Sequence, residues 1–186
     1  MVPLLVLLGS FLFLLAVRSI YKDLTFVWAG RLSFAVMLLF TGTSHFYLTK
    51  GMVMSLPSFV PAREALVYLT GIVEIALAFA YVLAQNKRPV AKAIIAFLVL
   101  ALPANIYAAL NHVDVKNATY AGAGPLYLFF RVPLQLFFMA WVYYFGFYRR
   151  RAHFLQARSM QWTVLEGRAG RVEVIEEDER RLHTWD

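Results

Sequence analysis

Five long apolar runs constrain this chain more than any other feature; they lie near residues 1–17, 26–48, 64–84, 90–110 and 125–147. Each of the last four reaches the roughly 20 residues that carry a helix across about 30 Å of hydrocarbon, and the first is marginal in length. The pattern implies an all-α membrane protein with four full-length spans and a marginal N-terminal transmembrane helix before them. Composition agrees, since 61% of the 186 residues are hydrophobic, only 16% are charged and the mean hydropathy is +0.62. A soluble domain carries about 25% charged residues. The first run reads as a retained helix rather than a signal peptide, because no basic residue precedes it and no small-x-small cleavage site follows it. The organisation is then residues 1–24 for the first helix and its loop, 25–148 for the bundle, and 149–186 for a polar tail.

Charge sets the expected orientation. Five spans place the loops near 18–25 and 85–92 on the side of the tail, with nine basic residues: Arg18, Lys22, Lys87, Arg88, Lys92, Arg149, Arg150, Arg151 and Arg158. The other side holds three, Lys50, Arg63 and Lys116. Excess Lys and Arg mark the cytoplasmic face, so the N-terminus is expected outside and the tail in the cytoplasm of a bacterial inner membrane. Tyr143, Tyr144, Tyr148 and Trp141 suit an aromatic belt at the inner interface. Seven of the 11 acids follow residue 148, so the net charge of +7 belongs to the membrane portion and its flanks. Such a balance reflects topology and contact with anionic lipid, and does not imply nucleic acid. With no Cys, disulfides, thiolate metal sites and a thiol relay are excluded within the chain, and any redox chemistry needs a bound cofactor or a partner.

Two connections carry further signals. Segment 49–63 alternates Met52, Met54, Leu56, Phe59 and Val60 with small residues, so it is expected at the interface, capping the bundle or dipping as a short re-entrant segment. Pro61 signals a helix start at Ala62-Arg63-Glu64. In the tail, Trp162–Glu166 and Arg171–Ile175 flank a Gly-containing turn and read as a β-hairpin.

Glu74 is the only acid in the middle of an apolar run. A carboxylate at that depth costs roughly 2.5–3.5 kcal/mol, so it should face other helices and meet a partner. His45, Asn105, Arg131 and Gln135 are the candidates. Helical spacing aligns Arg31, Gly42 and His45 on one face, Gly71, Glu74 and Ala78 on another, and Ala101, Asn105, Ala108 and His112 on a third. Arg131 and Gln135 are i, i+4 neighbours. At about 1.5 Å rise per residue, Asn105 and Arg131 lie roughly 8–9 Å below the outer helix ends, Glu74 and Gln135 roughly 15 Å, and His45 near the rim. The set describes a polar site opening outward. Arg31 stands apart near the cytoplasmic end, where it snorkels or meets a lipid phosphate. The structural alternative is that these groups only pair to fix helix register. No short-range ligand spacing supports a metal, and no nucleotide or hydrolase motif is present.

Gly42-Thr43-Ser44-His45-Phe46, Leu56-Pro57-Ser58-Phe59-Val60-Pro61 and Leu69-Thr70-Gly71-Ile72-Val73-Glu74 resemble the DoxX-like membrane proteins. Pro103-Ala104-Asn105-Ile106-Tyr107 and Phe130-Arg131-Val132-Pro133-Leu134-Gln135 extend the resemblance over roughly residues 26–147. It implies a four-helix membrane bundle and raises the expectation of a membrane subunit in a redox or oxidative-stress system. On that expectation the site takes a small or quinone-like ligand, and the partners are the lipid bilayer and a membrane or peripheral redox subunit. The alternatives are a non-catalytic assembly or scaffold protein and a small transporter. Neither the first span nor the tail gains a role from the resemblance.

Overall fold

The computed structural model describes residues 2–21 and 24–147; the expected β-hairpin and the rest of the tail lie outside them. The described residues are helical, with one isolated β-bridge, Asp114–Thr119. In chain order the helices are α1 (Val2–Ile20), α2 (Phe26–Tyr47), α3 (Thr49–Met54), α4 (Arg63–Leu83), α5 (Lys87–Leu110) and α6 (Leu128–Phe147), the last preceded by a 3₁₀ turn, Gly124–Tyr127. Among the described residues five stretches are long and apolar enough to cross a membrane, as in a multi-pass membrane protein. Their ends fall close to those read from hydropathy.

Capping accounts for several of those ends. Thr25 starts α2 by accepting the amide of Trp28 at 3.2 Å, and Asn86 starts α5 by accepting that of Arg88 at 3.2 Å. Ala62 adopts a left-handed conformation (φ 48°), so α4 begins at Arg63, one residue after the proline signal suggests. Helices α5 and α6 each continue through a proline, Pro103 and Pro133. Each proline lacks an N–H and so leaves the carbonyl four residues earlier, Val99 or Phe129, without its helical donor.

α2 is the central element, packing on α1 along one side and α4 along the other, while α5 pairs with α6. The core is filled by Leu7, Phe34, Leu38, Tyr81, Ile94, Leu134, Phe138 and Val142. Close approach of α2 and α4 depends on two glycines. A Cβ on Gly71 would stand 2.7 Å from His45 Cβ and 3.0 Å from the Gly42 carbonyl oxygen. Small residues at such a crossing let the backbones meet.

At the end where α2 and α5 finish, α3 tucks beneath the 113–116 loop: a Cβ on Gly51 would meet the Val115 carbonyl oxygen at 2.0 Å. Segment 49–63 therefore caps the bundle, with a short helix that its sequence does not announce. At the opposite end Trp141 Nε1 donates to the Gly30 carbonyl at 3.0 Å, and Phe11 packs edge-on against Trp141 and Phe145. Trp141 thus joins α2 to α6, whereas Tyr143 and Tyr144 are exposed, as a belt requires.

Candidate functional site

Glu74 is buried, 7% exposed, on the face that also buries Gly71 and Ala78. Its partners come from α2. His45 Nε2 lies 3.3 Å from Glu74 Oε2, and Thr41 Oγ1 lies 2.6 Å from Oε1. The other imidazole nitrogen, His45 Nδ1, is 3.0 Å from the Val67 carbonyl oxygen and 3.2 Å from Thr70 Oγ1. The Gly42–Gly71 crossing makes these distances short enough to bond.

The hydrogen-bond network assigns the tautomer. A carbonyl only accepts, so the Val67 oxygen selects Nδ1–H; the Thr70 hydroxyl, also 2.9 Å from that oxygen, can accept or donate. Nε2, the nitrogen left without a hydrogen in the neutral ring, then faces Oε2 at 3.3 Å, close enough for one proton to be held between the two. The Thr41 hydroxyl donates to Oε1, the carboxyl oxygen that faces away from the imidazole, so this bond stands whether or not Oε2 carries a proton. A proton held between Nε2 and Oε2 could pass from one to the other without any helix moving.

Asn105 and Arg131 form a second contact, between α5 and α6. Arg131 Nη2 donates to Asn105 Oδ1 at 2.8 Å, and Nη1 reaches the Tyr127 hydroxyl at 3.5 Å. Gln135, buried one turn deeper on α6, donates Nε2–H to the Leu98 carbonyl at 2.6 Å. Among the described residues no hydrogen bond or ion pair joins this contact to the His45–Glu74 pair. Glu74 thus meets a histidine and a threonine rather than the arginine, and His45–Glu74 is the only ion pair within 4.0 Å among the described residues.

Thr41 and Thr70 escape a search of the sequence for charged groups. Their signal is positional: Thr41 precedes His45 by four residues and Thr70 precedes Glu74 by four, so each shares a helix face with one member of the pair and bonds the other member across the crossing. Arg31, near the other end of α2, donates its Nε–H to the Phe145 carbonyl at 2.9 Å. An apolar groove of about 420 Å³ runs between Leu4 and Leu8 of α1 and Phe129, Phe130, Pro133 and Phe137 of α6.

Residues 34–146, more than half of the chain, match the family described as a domain of unknown function, DUF8561. The chain belongs to the DUF8561 family. The matched span runs from the middle of α2 almost to the end of α6, so it contains Thr41, His45, Thr70, Glu74, Asn105, Arg131 and Gln135 and leaves out α1. No curated protein and no solved structure matches the chain.

Proposed function

We propose that this DUF8561 protein is a DoxX-like, multi-pass protein of the bacterial inner membrane that serves as a proton-handling membrane subunit of a redox or oxidative-stress system. The four helices α2, α4, α5 and α6 form its transmembrane bundle, α1 is an added transmembrane helix, and the nine-to-three distribution of basic residues puts the tail in the cytoplasm. The observation that carries the reading is the 3.3 Å approach of His45 Nε2 to the buried Glu74 Oε2, beside a carbonyl that fixes the tautomer. Ionisable groups at membrane depth are functional by default. His45 is part-exposed near the outer helix ends and would exchange a proton with the outer face.

Arg131 and the Asn105 amide would hold a carbonyl or anionic oxygen of a small or quinone-like ligand. Their chemistry fits such a group: Arg131 presents a fixed fork of donors, and Asn105, accepting at Oδ1, keeps its amide hydrogens for a ligand. Mass spectrometry of gently extracted protein tests this by showing which small molecule or subunit stays bound.

Glu74→Gln is the sharper test of proton handling. Gln still bonds Thr41 but cannot ionise, so cells carrying it should lose oxidant resistance while the purified protein keeps its melting temperature. A stable variant that restores full resistance would remove the proton role. That result would favour the second reading, a non-catalytic scaffold, which draws support from one fact: no buried side-chain nitrogen or oxygen lacks a hydrogen-bond partner among the described residues. Groups satisfied in this way can act as register locks alone.

A further inference from the structure

Three polar atoms stand at the corners of a small triangle beside His45: its own Nδ1, the Val67 carbonyl oxygen 3.0 Å away and Thr70 Oγ1 3.2 Å away. The third edge is 2.9 Å, from Thr70 Oγ1 to the Val67 oxygen. Every edge is within hydrogen-bond reach, so the Thr70 hydroxyl hydrogen can lie along either of the two edges that meet at Oγ1. Moving it from one to the other needs only rotation of a hydroxyl, with no heavy atom displaced. The Val67 oxygen keeps its helical donor, the Gly71 amide, in both settings.

The two settings suit two protonation states of the pair. With a proton held between Nε2 and Glu74 Oε2, Nδ1 carries its own hydrogen and points it at the Val67 oxygen, which the hydroxyl also serves. Removing one proton leaves a carboxylate beside a neutral ring. Oε2 then only accepts, so the remaining hydrogen belongs on Nε2, while Oε1 keeps its bond from Thr41. Nδ1 is now a bare lone pair facing a carbonyl, which has no hydrogen to offer it. Only the Thr70 hydroxyl, of the atoms in the triangle, can turn and donate to it. Among the described residues Glu74 is the ionisable side chain bonded to the ring, and the other groups facing His45 from α4 are neutral: the Val67 carbonyl, Thr70 and Gly71.

We propose that Thr70 is a positioning residue that switches the His45 tautomer, so that the pair releases and takes up its proton through Nδ1. On release the N–H bond at Nδ1 breaks and its proton passes to water, the proton between Nε2 and Oε2 settles on Nε2, and Glu74 remains as the carboxylate. Uptake reverses each step. Exchange runs through the histidine because its side chain is the more open of the two, 18% exposed against 9% for Glu74. The proposal rests on the proton-handling reading and names the group that regulates it.

The test uses the full chain in mild detergent with its histidine rings labelled with nitrogen-15, and reads the His45 tautomer by NMR over a pH series; the signals are assigned by their loss in His45→Gln. As the ring becomes neutral, its hydrogen should be found on Nε2 in the parent and in Thr70→Ser. Thr70→Val keeps the shape and removes the hydroxyl, and should lower the ratio of Nε2–H to Nδ1–H about 2–10-fold, the worth of one ordinary hydrogen bond. A neutral ring that carries Nδ1–H in the parent, or a ratio unchanged in Thr70→Val, overturns the switch whatever happens to the melting temperature. Should Thr70→Val fail to fold, Thr70→Ala against Thr70→Ser decides it by the same ratio. The readout is separate from oxidant resistance in Glu74→Gln. Full resistance there removes the proton-handling reading, whereas an unchanged tautomer ratio removes the part given to Thr70 and leaves that reading standing.

Discussion

Replacing Gly71 by Ala adds one methyl group at the tightest point between α2 and α4. The new Cβ would begin 2.7 Å from His45 Cβ, against an ordinary contact of 3.4 Å, so the helices must separate by about 0.7 Å there. The obstructing atoms are the root of a side chain and the Gly42 carbonyl oxygen at 3.0 Å, neither of which can swing aside. Overpacking of this kind costs about 1–3 kcal/mol. Ala returns roughly 0.5–1 kcal/mol through its better helix propensity. The net loss is about 1 kcal/mol, a fall of about 2–4 °C in melting temperature for a chain of this size. Gly9 in α1 provides the contrast, because a Cβ there meets nothing within 4 Å. Gly9→Ala should feel only the propensity gain and melt slightly higher than the parent. Both melting curves are measured in one detergent at one lipid content. A Gly71→Ala protein as stable as Gly9→Ala would refute the close-approach argument, and with it the reason given for the short Glu74 contacts.

Thr41→Val keeps the shape but removes the hydroxyl that bonds Glu74 Oε1, and should cost about 1–3 kcal/mol in thermal stability. Asn105→Leu takes the acceptor from Arg131 Nη2 and should destabilise by about 1.5–3 kcal/mol, the range for a hydrogen bond to a charged group; an unchanged melting curve would show that the contact holds nothing. Asp114 is held below its usual 3.8 by the Asn117 side chain, then by the Asn117 and Lys116 amides. A lowered carboxyl stabilises the loop at all pH values above 3.8 and ceases to do so as pH falls through the lower folded value. The Lys116 and Asn117 amide resonances should therefore titrate together with a midpoint below 3.8, and a midpoint at or above it would count against the turn. Reporter fusions at Trp185 should read cytoplasmic and fusions within 111–124 external; the reverse pattern would invert the orientation.

Hydropathy located the long helices because about 20 apolar residues in a row leave few alternatives. Helical spacing also found the small-residue faces, and Gly42 and Gly71 do meet. Spacing along one helix does not say which helix lies opposite, however. Glu74 was therefore legible as a buried group in need of a partner, while the choice between His45 and Arg131 depended on α2, not α6, packing against α4. The same limit applies to Arg31, whose acceptor is a carbonyl 114 residues away in the chain. Carbonyls carry no residue-type signal, so the Val67 oxygen that fixes the His45 tautomer was invisible as well. Helix α3 is six residues long, too short for periodicity to register.

Pro103 and Pro133 interrupt the hydrogen-bond ladders of two helices that pack on each other. Counting at about 1.5 Å per residue from the shared end, the prolines sit roughly 10 Å and 8 Å deep, but the missing rungs extend from them in opposite directions, to Val99 roughly 16 Å deep and to Phe129 roughly 2 Å deep. On the loop side of both prolines Asn105 and Arg131 share their 2.8 Å bond, and on the deeper side Gln135 reaches the Leu98 carbonyl at 2.6 Å. The two cross-helix bonds thus bracket the prolines like a pair of stitches, tying α5 to α6 where each helix has lost a bond of its own.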